Sequence, residues 1–164
     1  MEFVQWLTDT TAGDFVMTML VSMVPIVELR GGIPYGVASG LPVWLAYIAA
    51  FIGNLLPVPF IVVYIRRIFK WIRRHMPRLN NFIDKLEKKS HLKGATMRKY
   101  QYLGLAIFIA IPLPGTGAWT GALAAAFLDM RLKKAFPAAV LGVAVAGFLI
   151  SILTFGVANM FGGV

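Results

Sequence analysis

Two charged side chains, Glu28 and Arg30, lie two residues apart in a stretch that is otherwise without charge from residue 15 to residue 65. Ionisable side chains at membrane depth are costly, so they mark a functional site by default. A guanidinium offers a forked set of donors that suits phosphate or carboxylate. A carboxyl group in a low dielectric can take up and release a proton. The pair therefore predicts anion binding by Arg30 and proton coupling by Glu28.

Glycine and proline surround this pair in residues 25–34, and a second cluster of the same kind occupies residues 112–119. Each break frees backbone groups that hydrocarbon cannot satisfy. Broken segments in matching places of two halves point to the substrate site of a transporter. We predict breaks at Pro25, Pro112 and Pro114. The predicted substrate contacts are Glu28, Arg30, Gly31, Gly32, Pro34, Gly115, Thr116, Gly117 and Asn54.

The helix that follows each break is predicted to begin at the break itself. Pro34 lies near a predicted first helical position, where its missing N–H is harmless. Thr116 is suited to cap the helix that follows Gly115. Both helix N-termini would then present free N–H groups and a positive dipole end, which favour an anion.

Structural roles compete with these functional ones. Glu28 and Arg30 could form a static ion pair that holds the first hairpin, since buried pairs often specify structure without adding stability. Asn54 could line the cavity or satisfy backbone groups freed by Pro57. The glycines next to the prolines, Gly31, Gly32, Gly115 and Gly117, are interpreted as backbone breaks rather than as close helix contacts.

The composition bounds the class of protein. The chain has 164 residues, is 59% hydrophobic and has a mean hydropathy of +0.75, as expected of an integral membrane protein with one domain, 1–164. It has no cysteine, which excludes disulfides and thiolate metal sites. The acidic N-terminus does not resemble a signal peptide. No nucleophile elbow, metal-ligand cluster or phosphate loop is found, so we expect no enzyme, no cofactor and no metal.

The apolar segments fall into two length classes. Residues 42–65 and 135–161 are long enough to span a bilayer. A kink is expected in the first run, which contains Gly53, Asn54, Pro57 and Pro59. The arms beside the breaks have about 13 residues each, or about 20 Å of helix, whereas a hydrocarbon core is about 30 Å thick. Residues 2–12 are predicted to form an interfacial helix, residues 8–13 a turn, and the linker 66–99 two basic amphipathic helices.

The placement of charge predicts the topology. Twelve of the sixteen cations lie in residues 66–99, beside membrane segments, which indicates a cytoplasmic loop rather than binding to nucleic acid. If both broken segments are re-entrant hairpins, all cations other than Arg30 fall on the cytoplasmic side. Four full crossings would place residues 131–134 on the opposite side. A mixed form, with only the second segment re-entrant, also satisfies the loop charges but puts the N-terminus inside.

The predicted fold is therefore an all-α integral membrane protein with two inverted repeats. Each repeat, 1–65 and 100–164, contains a re-entrant helical hairpin and one transmembrane helix. The linker 66–99 joins them in the cytoplasm, and both termini lie outside the inner membrane. Because two spans bury little surface, we expect a homodimer or a larger homo-oligomer. The basic linker is predicted to bind anionic lipid head groups.

Residues 27–36 and 112–121 resemble the small multidrug export protein family and, more distantly, the DedA (VTT-domain) membrane proteins. The resemblance covers nearly the whole chain and implies a transporter. It also implies paired re-entrant hairpins, and for some DedA proteins flipping of undecaprenyl phosphate or other phospholipids coupled to protons or sodium. The motif positions in this chain are Glu28, Arg30, Gly31, Gly32, Pro34, Pro112, Pro114, Gly115 and Gly117.

Together these observations predict a secondary transporter or flippase. Its substrate would be an anionic membrane lipid or amphipathic molecule, such as polyprenyl phosphate, bound at the midplane between the hairpins. One alternative is a proton-coupled exporter of cationic drugs with Glu28 as the exchange site. Another is a scaffold without transport activity, whose basic linker recruits partners.

Overall fold

The computed structural model describes residues 10–75, 94–113, 115–128 and 130–160. Within these ranges all regular secondary structure is helical, so the predicted all-α class is confirmed. The helices are α1 (Thr11–Met23), α2 (Glu28–Ala38), α3 (Val43–Leu55), α4 (Pro57–His75), α5 (Gly94–Ala110), α6 (Ala118–Phe127) and α7 (Leu132–Met160).

Two helical segments are long and apolar enough to cross a membrane. Val43–Ile65, which combines α3 with the first part of α4, has 23 residues, and an 18-residue stretch within it has a mean hydropathy of 2.2. Leu132–Val157 in α7 has 26 residues, and an 18-residue stretch within it has a mean hydropathy of 2.4. Both exceed the 20 or so helical residues that a bilayer requires. They agree with the predicted runs 42–65 and 135–161, whereas α1 and α6 are too short to span.

The boundary between α3 and α4 lies at Leu56, directly before Pro57. Proline has no N–H to continue the hydrogen-bond ladder, which explains an interruption where the sequence predicted a kink. Beyond it, α4 continues without a break to His75. The first predicted linker helix is therefore an extension of α4 and not a separate element. The second predicted linker helix lies largely outside the described residues.

The N-terminal helix begins earlier than predicted. The Thr10 side chain accepts a hydrogen bond of 3.0 Å from the Gly13 N–H, which is the usual N-cap arrangement. Residues 11–13 are thus helical, although residues 8–13 were predicted to form a turn. Most of the predicted interfacial helix 2–12 lies outside the described residues.

The helices pack as two similar groups. In the first triplet, α1, α2 and α3 pack against one another, and in the second triplet α5, α6 and α7 do the same. The triplets also exchange contacts, because α2 packs on α7 while α6 packs on α4. The helix after each break, α2 or α6, therefore packs against the membrane-length segment of the other half.

Close helix contacts at two glycines are alike in the two triplets. A Cβ atom on Gly53 of α3 would lie 2.1 Å from the Met19 carbonyl oxygen of α1. A Cβ atom on Gly142 of α7 would lie 2.7 Å from the Ala106 carbonyl oxygen of α5. Only glycine permits backbones to approach this closely. The last helix in the first triplet, α3, therefore packs on α1 through a glycine, and α7 packs on α5 in the second triplet in the same way.

The outer surface of the long segments is apolar. Phe60 and Tyr64 on α4 and Phe148 and Phe155 on α7 each expose more than half of their surface. Such a continuous apolar surface is unusual for a protein in water. It fits helices that face lipid, in agreement with their length and hydropathy.

The contact at Gly53 gives the first testable prediction. We expect Gly53→Ala to lower the free energy of unfolding by about 1–3 kcal/mol, because the added methyl group overlaps backbone that cannot move alone. Gly104→Ala is the matched control, since a Cβ there meets no atom within 4 Å and alanine favours a helix. Thermal unfolding in detergent measures both, and equal stability of the two variants would contradict the packing described here.

Candidate functional site

The first break occupies residues 24–27, between α1 and α2. Ile26 adopts a φ of 79° and Glu28, the first residue of α2, a φ of 49°. A β-branched residue rarely adopts a positive φ, so this turn is strained and must be held by its surroundings. Pro25 lies within the turn, where the sequence predicted a break.

The glycine pair that was predicted to form this break lies inside α2 instead. Gly31 and Gly32 are helical, and a Cβ on Gly32 would lie 1.8 Å from the Ser22 Oγ of α1. Close packing between α1 and α2 therefore explains Gly32, and the break interpretation was wrong for both glycines. The local sequence could not predict the packing role of Gly32, because the contact joins two different helices.

The predicted position of Pro34 at the start of a helix was also wrong. It is the seventh residue of α2 and not near its first turn. Its ring has no N–H, so the Arg30 carbonyl loses its helical partner. The proline side chain is exposed.

The second break runs from residue 111 to residue 117, and the structure describes all of it except residue 114. Pro112 is not helical. Gly115 and Gly117 have φ values of 87° and 153°, a region that side chains disfavour. The predicted break at Pro114 lies outside the described residues.

Arg30 binds the backbone of the second break. Its guanidinium donates to the carbonyl oxygens of Leu113 and Thr116, and at 3.3 Å to that of Ile111. It also donates to the Thr116 Oγ1 at 2.9 Å. Carbonyls beyond the end of a helix lack intrahelical partners and attract a positive charge. Arg30 thus satisfies acceptors that the break beyond α5 leaves free.

Thr116 belongs to this carbonyl cluster and does not cap the next helix. Its hydroxyl lies 2.6 Å from the Ile111 oxygen and 2.8 Å from the Leu113 oxygen, and it can donate to one of them. The N-cap of α6 is Gly117, which has no side chain to offer. The predicted cap was therefore wrong, because the turn directs the Thr116 hydroxyl back towards α5.

Glu28 supplies the missing cap from the other hairpin. The Trp119 backbone N–H, in the first turn of α6, donates to the Glu28 Oε1 at 3.1 Å. The carboxylate is buried, with 5% of the residue surface exposed. A Cβ atom on Gly117 would lie 1.8 Å from the Glu28 Oε2, so only glycine leaves room for this carboxylate. A negative charge is favourable at a helix N-terminus.

The Trp119 side chain adds a second hydrogen bond between the two breaks, this time from the second break to the first. Its indole N–H donates to the Met23 carbonyl oxygen at 3.1 Å, where α1 ends at the first break. The sequence analysis missed Trp119. A usable signal was an aromatic residue with a polar N–H two positions after a predicted break. We call Glu28, Arg30, Thr116, Gly117 and Trp119 the junction.

The structure does not show the predicted alternative, a static ion pair between Glu28 and Arg30. Within the described ranges, Glu28 binds the N–H of Trp119 and Arg30 binds carbonyls, and the two are not paired with each other. The two charges join the first hairpin to the second. Among the same residues no group of three or more His, Asp or Glu side chains could hold a metal ion.

Asn54 is buried, with none of its surface exposed. Among the described residues neither its Oδ1 nor its Nδ2 has a hydrogen-bond partner. It therefore does not satisfy the backbone freed by Pro57, which was one of the two interpretations. Its role as a substrate contact stays a prediction.

One family model matches this chain over residues 28–149, and the model is described as "Putative small multi-drug export protein". The match begins at Glu28 and includes both sides of the junction. The chain belongs to this family. Neither a curated protein nor a solved structure matches it. The predicted resemblance to the family is confirmed, and the more distant similarity to DedA proteins stays a prediction.

Membership of an export family identifies the chain as a membrane transporter rather than as a member of a known enzyme class. The two long apolar segments agree with a location in a membrane. The junction residues lie at the start of the matched region and again in its second half, and they are the place where both breaks contact each other.

The carbonyl cluster gives the second prediction. Arg30→Met should lower the free energy of unfolding by about 1–3 kcal/mol, because carbonyls of the second break lose their donor. Arg67→Met is the control, since Arg67 is exposed on α4. Thermal unfolding of both variants in the same detergent gives the comparison. If Arg30→Met were as stable as Arg67→Met, the guanidinium would not hold the second break.

Proposed function

We propose that this protein is a secondary transporter that flips an anionic substrate across the membrane through the junction. The substrate class that fits best is a lipid phosphate such as polyprenyl phosphate. The observation that carries the proposal is the buried Glu28 carboxylate, which lies at the N-terminus of α6 on the same helical turn as Arg30. A phosphate oxygen has the same charge and accepts the same hydrogen bonds.

In this proposal Glu28 is an internal anion that occupies the place of the substrate. Proton uptake removes its charge, so that its attraction to the α6 N-terminus weakens and the Trp119 N–H becomes available. The substrate phosphate then binds to the freed helix end and to Arg30. Release of the proton restores the Glu28 contact and expels the substrate, which couples transport to proton movement.

A lipid substrate suits a chain of this size. A polyprenyl or acyl tail can remain in the bilayer while only the head group crosses, so no wide enclosed path is needed. The short helices α1 and α6 support re-entrant hairpins, since neither is long enough to span. The similar packing of the two triplets supports inverted repeats. We further propose an inner-membrane location with both termini outside, and a homodimer or larger assembly.

Transport in liposomes tests the proposal. With purified protein and a labelled prenyl phosphate, Arg30→Ala should slow flipping about 10–100-fold, the effect expected from losing hydrogen bonds to a charged group. Arg67→Ala, which changes an exposed cation, should flip at the wild-type rate. Wild-type flipping by Arg30→Ala would reject an anion site at the junction.

A second candidate function is proton-coupled export of cationic drugs, and the description of the family favours it. The two candidates differ in the expected behaviour of Glu28→Gln. If Glu28 competes with an anion, the variant should bind prenyl phosphate more tightly while flipping it more slowly. If Glu28 binds a cation, the variant should lose export of a cationic dye, and Arg30→Ala should affect that export less.

Cysteine labelling tests the topology, because the chain has no native cysteine. A reagent that does not cross the membrane should label Ala12→Cys, Ser39→Cys and Gly163→Cys from the outside. It should label Ala95→Cys and Leu132→Cys only from the cytoplasmic side. Labelling of positions 12 and 39 from opposite sides would mean that the first hairpin crosses the membrane and is not re-entrant.

A further inference from the structure

Polar side chains are buried inside the first triplet. Thr18, Ser22 and Asn54 expose none of their surface. The Ser22 hydroxyl donates to the Thr18 carbonyl at 2.7 Å. By contrast, the Thr18 Oγ1 and both amide atoms of Asn54 have no partner anywhere in the described part of the chain. Because native structures seldom leave buried polar atoms unpaired, these groups require an explanation.

The second triplet has apolar residues at the equivalent positions. The matched contacts pair Met19 with Ala106 in α1 and α5, the helices before the breaks, and Gly53 with Gly142 in α3 and α7. Counting from these pairs, the counterparts of Thr18, Ser22 and Asn54 are Leu105, Ile109 and Val143. All three counterparts are buried. The two triplets therefore share packing but differ in polarity at these three positions. Elsewhere in the second triplet, the Ser151 Oγ of α7 is also buried without a partner among the described residues.

The register of α2 and α3 places Asn54 at the level of the junction. The two helices pack together after a short connection and run antiparallel. A Cβ on Gly36 would lie 2.9 Å from the Ala46 Cβ. Eight residues from this contact, or about 12 Å along each helix, α2 reaches Glu28 and α3 reaches Asn54.

The face of α3 and α4 that carries Asn54 is turned to the second half of the molecule. Ala50 and Val58 lie one helical turn to either side of Asn54. Both belong to the core cluster that contains Leu29 of α2 and Ala118 of α6, the neighbours of Glu28 and Gly117 in sequence. The unpartnered amide thus lies on a helix face that takes part in the core shared by the two halves.

We propose that water and the transported head group follow a polar route through the first triplet, with Asn54 as a ligand-binding residue at the level of Glu28. A side-chain amide both donates and accepts hydrogen bonds, so it can bind water and a phosphate oxygen in turn. In the second triplet, the matched apolar positions 105, 109 and 143 then exclude water. The head-group role rests on the proposed function, whereas the presence of water does not.

Matched cysteine variants test the route. A hydrophilic methanethiosulfonate reacts with the thiolate, which forms only where water reaches the sulfur. Variants of the first triplet should react at least about tenfold faster than their counterparts. Equal rates in the two sets would overturn the proposal, and size-exclusion chromatography confirms that each variant is folded. The pairs are Thr18→Cys with Leu105→Cys, Ser22→Cys with Ile109→Cys, and Asn54→Cys with Val143→Cys.

A soluble prenyl phosphate separates the two parts of the proposal. Farnesyl phosphate should slow labelling of Asn54→Cys several-fold, because the head group covers that position. Rapid labelling of Asn54→Cys that farnesyl phosphate does not change would overturn the ligand-binding role of Asn54. A clear difference between the triplets in a protein that does not flip prenyl phosphate would reject the proposed function alone.

Discussion

The structure depends on satisfying the backbone groups that two helix breaks set free. A backbone donor or acceptor without a partner is costly where water is excluded, and here other side chains of the protein supply the partners. The second break presents carbonyls after α5 and N–H groups at the start of α6. A cation suits the carbonyls and an anion suits the N–H groups. Arg30 and Glu28, both in the first turn of α2, meet both needs.

This arrangement makes the two hairpins depend on each other. The second break has no charged residue of its own, and the first break has its Met23 carbonyl bound by Trp119. Neither hairpin can satisfy its backbone alone. The contacts that hold the fold also form an arrangement that binds a carboxylate in a buried place. In the proposed mechanism, a substrate anion enters in exchange for this internal one.

Similar packing in the two triplets does not make them equivalent. Gly53 allows α3 to approach α1 closely, and Gly142 allows α7 to approach α5 in the same way. Yet both charges of the junction and the three fully buried polar side chains belong to the first triplet, while Leu105 and Val143 are apolar at matched positions of the second. The buried Ser151 Oγ of α7 also lacks a partner among the described residues, so the difference holds at the matched positions and not throughout each triplet.

The sequence by itself determined the helical class, both long apolar segments and the approximate places of the breaks. These features depend on hydrophobic length and on proline and glycine, which act locally. Only the tertiary structure decided where α2 begins, what caps α6 and what Arg30 binds. Arg30 and Leu113 lie 83 residues apart in the chain, and no local pattern encodes such a pairing. It depends on how closely the helices pack, which glycines such as Gly32 set through contacts with other helices.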